Sequence, residues 1–133
     1  MLNKDQESLL AAVVRRPWGW YLTTLQMPGY KTKVLSILPG ARLSLQTHKH
    51  RSEMWSIIKG EGLCTVGDEA LKVEATDFVF IPLGAKHRIE NLSRTGDLIV
   101  AEVQIGDYLE EDDIVRYEDD FGRVSSFLQE AGK

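Results

Sequence analysis

Two of the chain's three histidines, His48 and His50, lie two residues apart in ARLSLQTHKHRSEMW (41–55), and the third, His87, follows a Pro and Gly turn in IPLGAKHRIEN (81–91). In an extended strand successive side chains point to opposite faces. That alternation puts Ser44, Gln46, His48 and His50 on one side and Leu43, Leu45, Thr47 and Lys49 on the other. After a turn around Arg51 and Ser52, Glu53 begins the next strand and can return its carboxylate to the same point. Imidazole nitrogen, amide oxygen and carboxylate oxygen make a mixed donor set suited to Zn, Mn, Fe, Co or Ni. Three or four such ligands leave coordination positions open for a substrate.

The rest of the chain must build a scaffold for these groups. Its 133 residues fit one domain with one core. No apolar run reaches membrane length and no basic leader precedes the first element, so no membrane partner and a cytoplasmic location are expected. The net charge is −4 and the basic residues are scattered, which argues against nucleic acid as a partner. The lone cysteine, Cys64, excludes an internal disulfide and is read as a small strand hydrophobe.

Asn3 followed by Gln6 has the form of a capping box, and Leu9, Leu10, Val13 and Val14 then recur at helical spacing until Pro17. A helix is expected over 4–14. From Pro17 to about Gly106 short β-rich runs alternate with turn residues: WGWYLTTL, YKTKVLSIL, ARLSLQTH, MWSIIKG, GLCTVGDEALKV, DFVFIPLG, HRIENL and DLIVAEVQIG. Turns such as LPGA, KGEG, VGDEA and RTGD suit antiparallel neighbours, and so many closely spaced strands imply a sandwich or small barrel. The acidic EEDDIVRYEDD segment reads as a solvated lid or rim, and VSSFLQEAG as one or two helical turns. Trp18, Trp20 and Trp55 are expected to pack, not to stack on sugar.

Counted from Gly40, the gaps are five residues to Gln46, one to His48, four to Glu53 and six to Gly60. This pattern resembles the first motif of the cupin superfamily, with glutamine in place of its first histidine. PLGAKHRIEN resembles the second, with Pro82, Gly84, His87 and Asn91 in register. RPWGWY (16–21), PGARLSLQ (39–46), HRSEMW (50–55), HRIEN (87–91) and GDYLEEDDIVRYEDDFGR (106–123) further resemble the type II mannose-6-phosphate isomerase domain. That domain is commonly the C-terminal part of bifunctional mannose-1-phosphate guanylyltransferase/phosphomannose isomerases. The resemblance implies an all-β fold, a cupin double-stranded β-helix or jelly-roll barrel, with a short N-terminal helix and a short C-terminal helical tail. A single cupin domain over 1–133 would divide into an N-terminal helical extension (1–15), a core with its acidic closing segment (16–123) and a tail (124–133).

It also implies the ligand set Gln46, His48, Glu53 and His87 around one divalent ion, Zn first and Co, Mn, Ni or Fe as alternatives, with His50 nearby but unbound. The implied activity is a metal-dependent aldose–ketose isomerisation of mannose 6-phosphate and fructose 6-phosphate through an enediol. The proton carrier must lie outside the coordination sphere, which makes His50 first choice, then Glu90 and Lys86. Arg51, Arg88 and Arg42 are the candidates for the substrate phosphate. A homodimer is expected, with the helical extension offering an apolar face. Where the resembling domain carries histidines, this chain has Lys49 and Met54, which leaves fewer groups for proton transfer or substrate contact. The guanylyltransferase half is absent from this sequence, so nucleotide transfer is not expected of it. A non-catalytic cupin binding a sugar phosphate or nucleotide sugar is the alternative, and an iron-dependent oxygen-using cupin a third class, because fold alone does not decide function.

Overall fold

The computed structural model describes residues 1–126 and 128. The N-terminal helix α1 (Lys4–Ala11) opens with the expected box: the Asn3 side chain accepts from the Gln6 amide while the Gln6 side chain accepts from the Asn3 amide. It ends three residues earlier than its spacing predicts. Val14 is taken into strand β1 (Val14–Arg16), where it pairs with Tyr21 of β2 (Gly19–Met27). Two β-branched residues at 13 and 14 and the proline at 17 favour that outcome over another helical turn. No residue of α1 is buried.

The remaining strands are β3 (Tyr30–Ile37), β4 (Leu45–Thr47), β5 (Arg51–Lys59), β6 (Glu61–Val66), β7 (Glu69–Glu74), β8 (Phe78–Ile81), β9 (His87–Asn91), β10 (Leu98–Gly106) and β11 (Val115–Glu118). They form two antiparallel sheets with the orders β1-β2-β3-β10-β5-β8 and β11-β4-β9-β6-β7. The all-β expectation holds. Strand β11 falls inside the segment read as an acidic rim; its Val115, Arg116 and Glu118 pair with Thr47, Gln46 and Leu45 of β4 and close the edge of the smaller sheet. Of the expected C-terminal helical tail, Ser126 and Leu128 are helical, and the part expected over residues 127 and 129–133 lies outside the described residues.

Inward-facing residues of both sheets meet in one core. Trp18, Leu35, Ile37, Trp55, Ile57 and Val100 come from the larger sheet and its turns, and Cys64, Val73 and Ile89 from the smaller. Each fully buried aliphatic side chain, such as Ile37, Ile89 or Leu98, contributes roughly 1.5–3 kcal/mol. Burial pushes the Cys64 thiol up to about 12, so it stays protonated and acts as the small hydrophobe expected.

The inward row is not apolar throughout. On β5 it reads Arg51, Glu53, Trp55, Ile57, and on β10 Leu98, Val100, Glu102, Gln104. Because these strands run antiparallel, with Gln104 opposite Glu53 and Val100 opposite Ile57, the polar halves adjoin at one end and the apolar halves at the other. The barrel is thereby divided into a hydrophobic plug and a polar cleft. Gly106 keeps the cleft end tight: a Cβ there would stand 2.1 Å from the His50 carbonyl oxygen, closer than any side chain tolerates.

Candidate metal centre

His48, Glu53 and His87 converge at the base of the cleft, with one ligand atom from each lying within 4.8 Å of the others. All three are buried. His48 follows β4, Glu53 sits on β5 and His87 opens β9, so both sheets contribute. Gln46 on β4 stands directly opposite His87 in the ladder. Its amide nitrogen donates to the carbonyl and hydroxyl of Ser44, at 3.3 and 3.0 Å, which orients the amide and leaves the oxygen as its available end.

The hydrogen bonds around the imidazoles test whether this set suits a cation. His87 Nδ1 donates to the Ala85 carbonyl at 2.9 Å, and a carbonyl can only accept. Burial pulls the His87 pKa down against the opposing pull of Glu53. The ring is therefore neutral with its Nε2 lone pair free, 3.9 Å from Glu53 Oε1. His48 Nδ1 likewise donates to the Asp113 carbonyl at 2.7 Å, and its Nε2 lies 3.1 Å from Glu53 Oε2. With an oxygen acceptor at each ring nitrogen, His48 is satisfied either as an imidazolium or as a neutral ring sharing a cation with Glu53. Fixed Nδ1–H donors that free Nε2 are the arrangement that orients metal-binding histidines, and the donor set fits a divalent ion.

Arg51 also brings a positive charge to the Glu53 carboxylate. Its Nε donates to Glu53 Oε2 at 2.8 Å and its Nη2 lies 3.3 Å from His48 Nε2. The indole nitrogen of Trp55 donates to Glu53 Oε1 at 3.2 Å. Burial works against the Glu53 charge, but the His48 contact and the Arg51 guanidinium outweigh it and hold the carboxyl well below the usual range. An ion held by the His48 Nε2 lone pair would take the place of the Arg51 contact there, since one lone pair serves one partner.

The chain after β10 locks this loop in place. The Asp113 carboxylate accepts from the backbone amides of Lys49 and His50, both at 2.9 Å, in addition to the carbonyl contact with His48. Glu111 pairs with the buried Lys33, and Lys31 Nζ donates to the Leu109 carbonyl. The acidic segment is thus tied down by specific partners.

Several residues singled out from the sequence lie elsewhere. His50 is exposed, with its ring edge-on to Tyr108 at 5.6 Å. Strand β4 stops at Thr47 and the chain bends at Lys49 and His50 to meet Asp113, so the alternation that put His50 beside His48 no longer applies. Lys86 is exposed over the Tyr117 ring at 4.3 Å, and Glu90 forms a backbone bridge with Arg42; neither lines the cleft. Arg42 is occupied by a two-bond pair with Asp120 outside it. Arg51 and Arg88 do line it.

Sequence reasoning missed Glu102. It is buried in the cleft wall, accepts from Gln104, and burial together with the Glu53 charge pushes its carboxyl up to about 7. A Glu and a Gln at alternate positions of an otherwise apolar strand were the available signal.

Residues 3–119 match the family described as mannose-6-phosphate isomerase C-terminal. The chain belongs to that family. Family relatives include the xanthan biosynthesis protein XanB of Xanthomonas campestris, 44% identical over 111 residues that cover 84% of this chain and 24% of XanB. The mannose-1-phosphate guanylyltransferase of Escherichia coli K12 is 40% identical over 84% of this chain and 23% of its own length. The alginate biosynthesis protein AlgA of Pseudomonas aeruginosa is 41% identical, over 84% and 23% respectively. The chain therefore spans about a quarter of the length of these curated relatives. Among solved structures, a conserved Klebsiella pneumoniae protein with a double-stranded β-helix domain superposes with a TM-score of 0.69 at 18% identity, covering 84% of this chain and 95% of that one. The cupin domain of Schizosaccharomyces pombe Cnp3 gives 0.66 at 17%, covering 74% and 72%. These likenesses establish the cupin fold.

Proposed function

We propose that this domain interconverts mannose 6-phosphate and fructose 6-phosphate, with a divalent ion held by His48, Glu53, His87 and Gln46. The observation that carries this reading is the convergence of three buried donors, two with lone pairs freed by carbonyl partners, at the base of a cleft rich in cationic side chains. Family membership supports the same substrate class. Zn is the first choice of ion, with Co, Mn, Ni and Fe as alternatives.

Isomerisation takes a proton from a carbon beside a carbonyl and returns one to the neighbouring carbon through an enediol. A bound divalent ion supplies Lewis-acid stabilisation of the charge that develops on oxygen. Glu102 is our candidate for the proton transfer in place of His50: it faces the cleft, and a carboxyl titrating at about 7 can both accept and release a proton near neutral pH. Glu53 and Trp55, linked by the indole hydrogen bond, form one wall of the cleft. The cavity of about 80 Å³ has room for an ion and several waters, so a hexose phosphate extends into the open mouth.

The test is deuterium exchange at C2 and conversion to fructose 6-phosphate, followed by NMR, together with elemental analysis of the purified protein. His48→Ala and His87→Ala should each abolish exchange and metal content while the fold persists. Full turnover in both variants refutes the reading. A non-catalytic cupin that binds a sugar phosphate or nucleotide sugar is the second reading, favoured by the placement of His50, Lys86 and Glu90 outside the cleft lining, which removes three groups expected to carry a proton. Tight sugar-phosphate binding without C2 exchange at saturating Zn selects it. A homodimer is part of the proposal, supported by the exposed Leu25, Met54, Phe78 and Phe80 on the outer face of the larger sheet. A monomer mass by light scattering would refute it.

A further inference from the structure

Glu102 and Gln104 close the inward row of β10 that begins with Leu98 and Val100, and the proposed function uses only the first of them. Two residues apart on one strand, they share a face. Glu102 is 5% exposed and Gln104 not at all. Gln104 Nε2 donates to Glu102 Oε1, which accounts for the nitrogen end of the amide. The oxygen end is not accounted for: Gln104 Oε1 is buried with no hydrogen-bond partner. An amide oxygen accepts only, and burying it without a donor is costly.

The charged groups facing this pair are Lys31 and Lys33 from β3 and Arg51 and Glu53 from β5. Their donors are directed elsewhere. Lys33 pairs with Glu111, and Lys31 donates to the Leu109 carbonyl. Arg51 gives its Nε to Glu53 and turns Nη2 to His48, while its Nη1 reaches no acceptor, the Gln104 oxygen included. The Trp55 indole, opposite Glu102 in the ladder, is spent on Glu53.

Glu102 itself can supply the missing donor. A carboxylate accepts only, whereas a carboxylic acid carries one O–H. Burial and the Glu53 charge push this carboxyl up to about 7, so below that pH the acid form prevails. A carboxylic acid and a primary amide are complementary, each donating one hydrogen bond to the other and accepting one. The bond from Gln104 Nε2 to Glu102 Oε1 is one half of that exchange. The acid O–H directed at Gln104 Oε1 is the other half, and it satisfies the orphaned acceptor. With Glu102 ionised, the same oxygen would face lone pairs alone.

Resting on the proposed proton transfer through Glu102, we propose that Glu102 and Gln104 form a two-bond acid–amide pair in which Gln104 Oε1 accepts the Glu102 proton, making Gln104 the positioning residue for that proton. The terminal torsion of a glutamate is broad and two-fold when unrestrained. Held by both ends of the amide, the carboxyl has one plane and its proton one oxygen.

Infrared difference spectra of the full chain in mildly acidic buffer, wild type minus Glu102→Gln, isolate the Glu102 carboxyl. The wild type should show a protonated carboxyl band at the low frequency of an acid bonded through both its O–H and its C=O. Gln104→Met keeps the side-chain length, removes both polar atoms and should move the band to higher frequency. If Gln104→Met fails to fold, as judged by its thermal transition, Gln104→Asn carries the test, because the shorter amide cannot close both bonds and the band should move the same way. Absence of a protonated band, or one that stays in place in a folded Gln104 variant, overturns the pair. So does a wild-type band at the frequency of an acid with a free O–H, which would assign the Gln104 oxygen to another donor such as water. In the C2 exchange assay Gln104→Met should lower kcat roughly tenfold with KM unchanged, because Gln104 does not line the cleft. Unchanged kcat in the folded variant overturns the positioning role. The spectra do not depend on turnover, so the two readings fail separately. A doubly bonded acid in a protein without C2 exchange keeps the pair and refutes the isomerase, and exchange in a protein lacking that band keeps the isomerase and overturns the pair.

Discussion

Replacing Glu102 by Gln should alter the pH dependence of stability by an amount fixed by its burial. The Glu102 carboxyl is raised from 4.5 to about 7, first by burial and then by the Glu53 charge, against weaker opposing effects of Lys33, Gln104 and Arg51. A raised carboxyl pKa means that the folded state holds a proton which the unfolded state has released. Stability from this group is therefore complete below the unfolded value near 4.5 and is lost as pH rises toward about 7. The shift corresponds to about 3 kcal/mol, and full burial removes any need to discount it for solvent screening. Glutamine keeps the shape and the acceptor for Gln104 but cannot ionise. Urea unfolding of both proteins, with chelator present to keep Glu53 in one state, should show the wild type losing about 3 kcal/mol relative to Glu102→Gln between about pH 5 and about pH 8. Shifts of groups remote from Glu102 cancel in the difference, and Glu53, held well below the usual range, stays ionised across this window. Parallel stability curves would show that Glu102 is ionised in the folded protein at neutral pH, and would remove it as the proton-transfer candidate too.

Glu102→Gln should also lower kcat by roughly 10²- to 10⁴-fold in the exchange assay while metal content stays at the wild-type level. Asp113→Ala removes the acceptor for the Lys49 and His50 amides, and should weaken Zn binding roughly 10- to 100-fold in a competition titration with a chromogenic chelator. Gly106→Ala drives a methyl group into the His50 carbonyl and should cost at least about 2 kcal/mol by chemical denaturation, together with much of the metal affinity. Met54→His should change neither turnover nor metal content, because Met54 lies on the outer face of β5 between Phe80 and Val103, away from the cleft; a rise in kcat would contradict that placement.

The β-rich runs, their turns and the capping box were legible because each depends on local chemistry: alternation, Gly and Pro at turns, Asn3 and Gln6 at a helix start. The proposed donors were legible for the same reason, since polar residues at inward positions of a strand stand out. His50 was misassigned to the His48 face because alternation holds only while the strand continues. What ends β4 at Thr47 is Asp113, more than sixty residues later. Strand β11 was obscured by its acidic flanks, and its pairing with β4 depends on tertiary register that composition does not carry. Met54 shows the converse error, in which a substitution beside Glu53 reads as functional although the pleat turns it outward.

The Asp113 clasp has a consequence for biogenesis. A nascent chain can complete both hydrophobic faces of the barrel once β10 has emerged, yet His48 still lacks the carbonyl that orients its ring and the bend at Lys49 and His50 still lacks its anchor. The groups that orient the proposed donors are thus supplied last, by the same stretch that partners the buried Lys31 and Lys33 and closes the smaller sheet through β11, so trimming ahead of Leu109 would strip both the donor geometry and these supports.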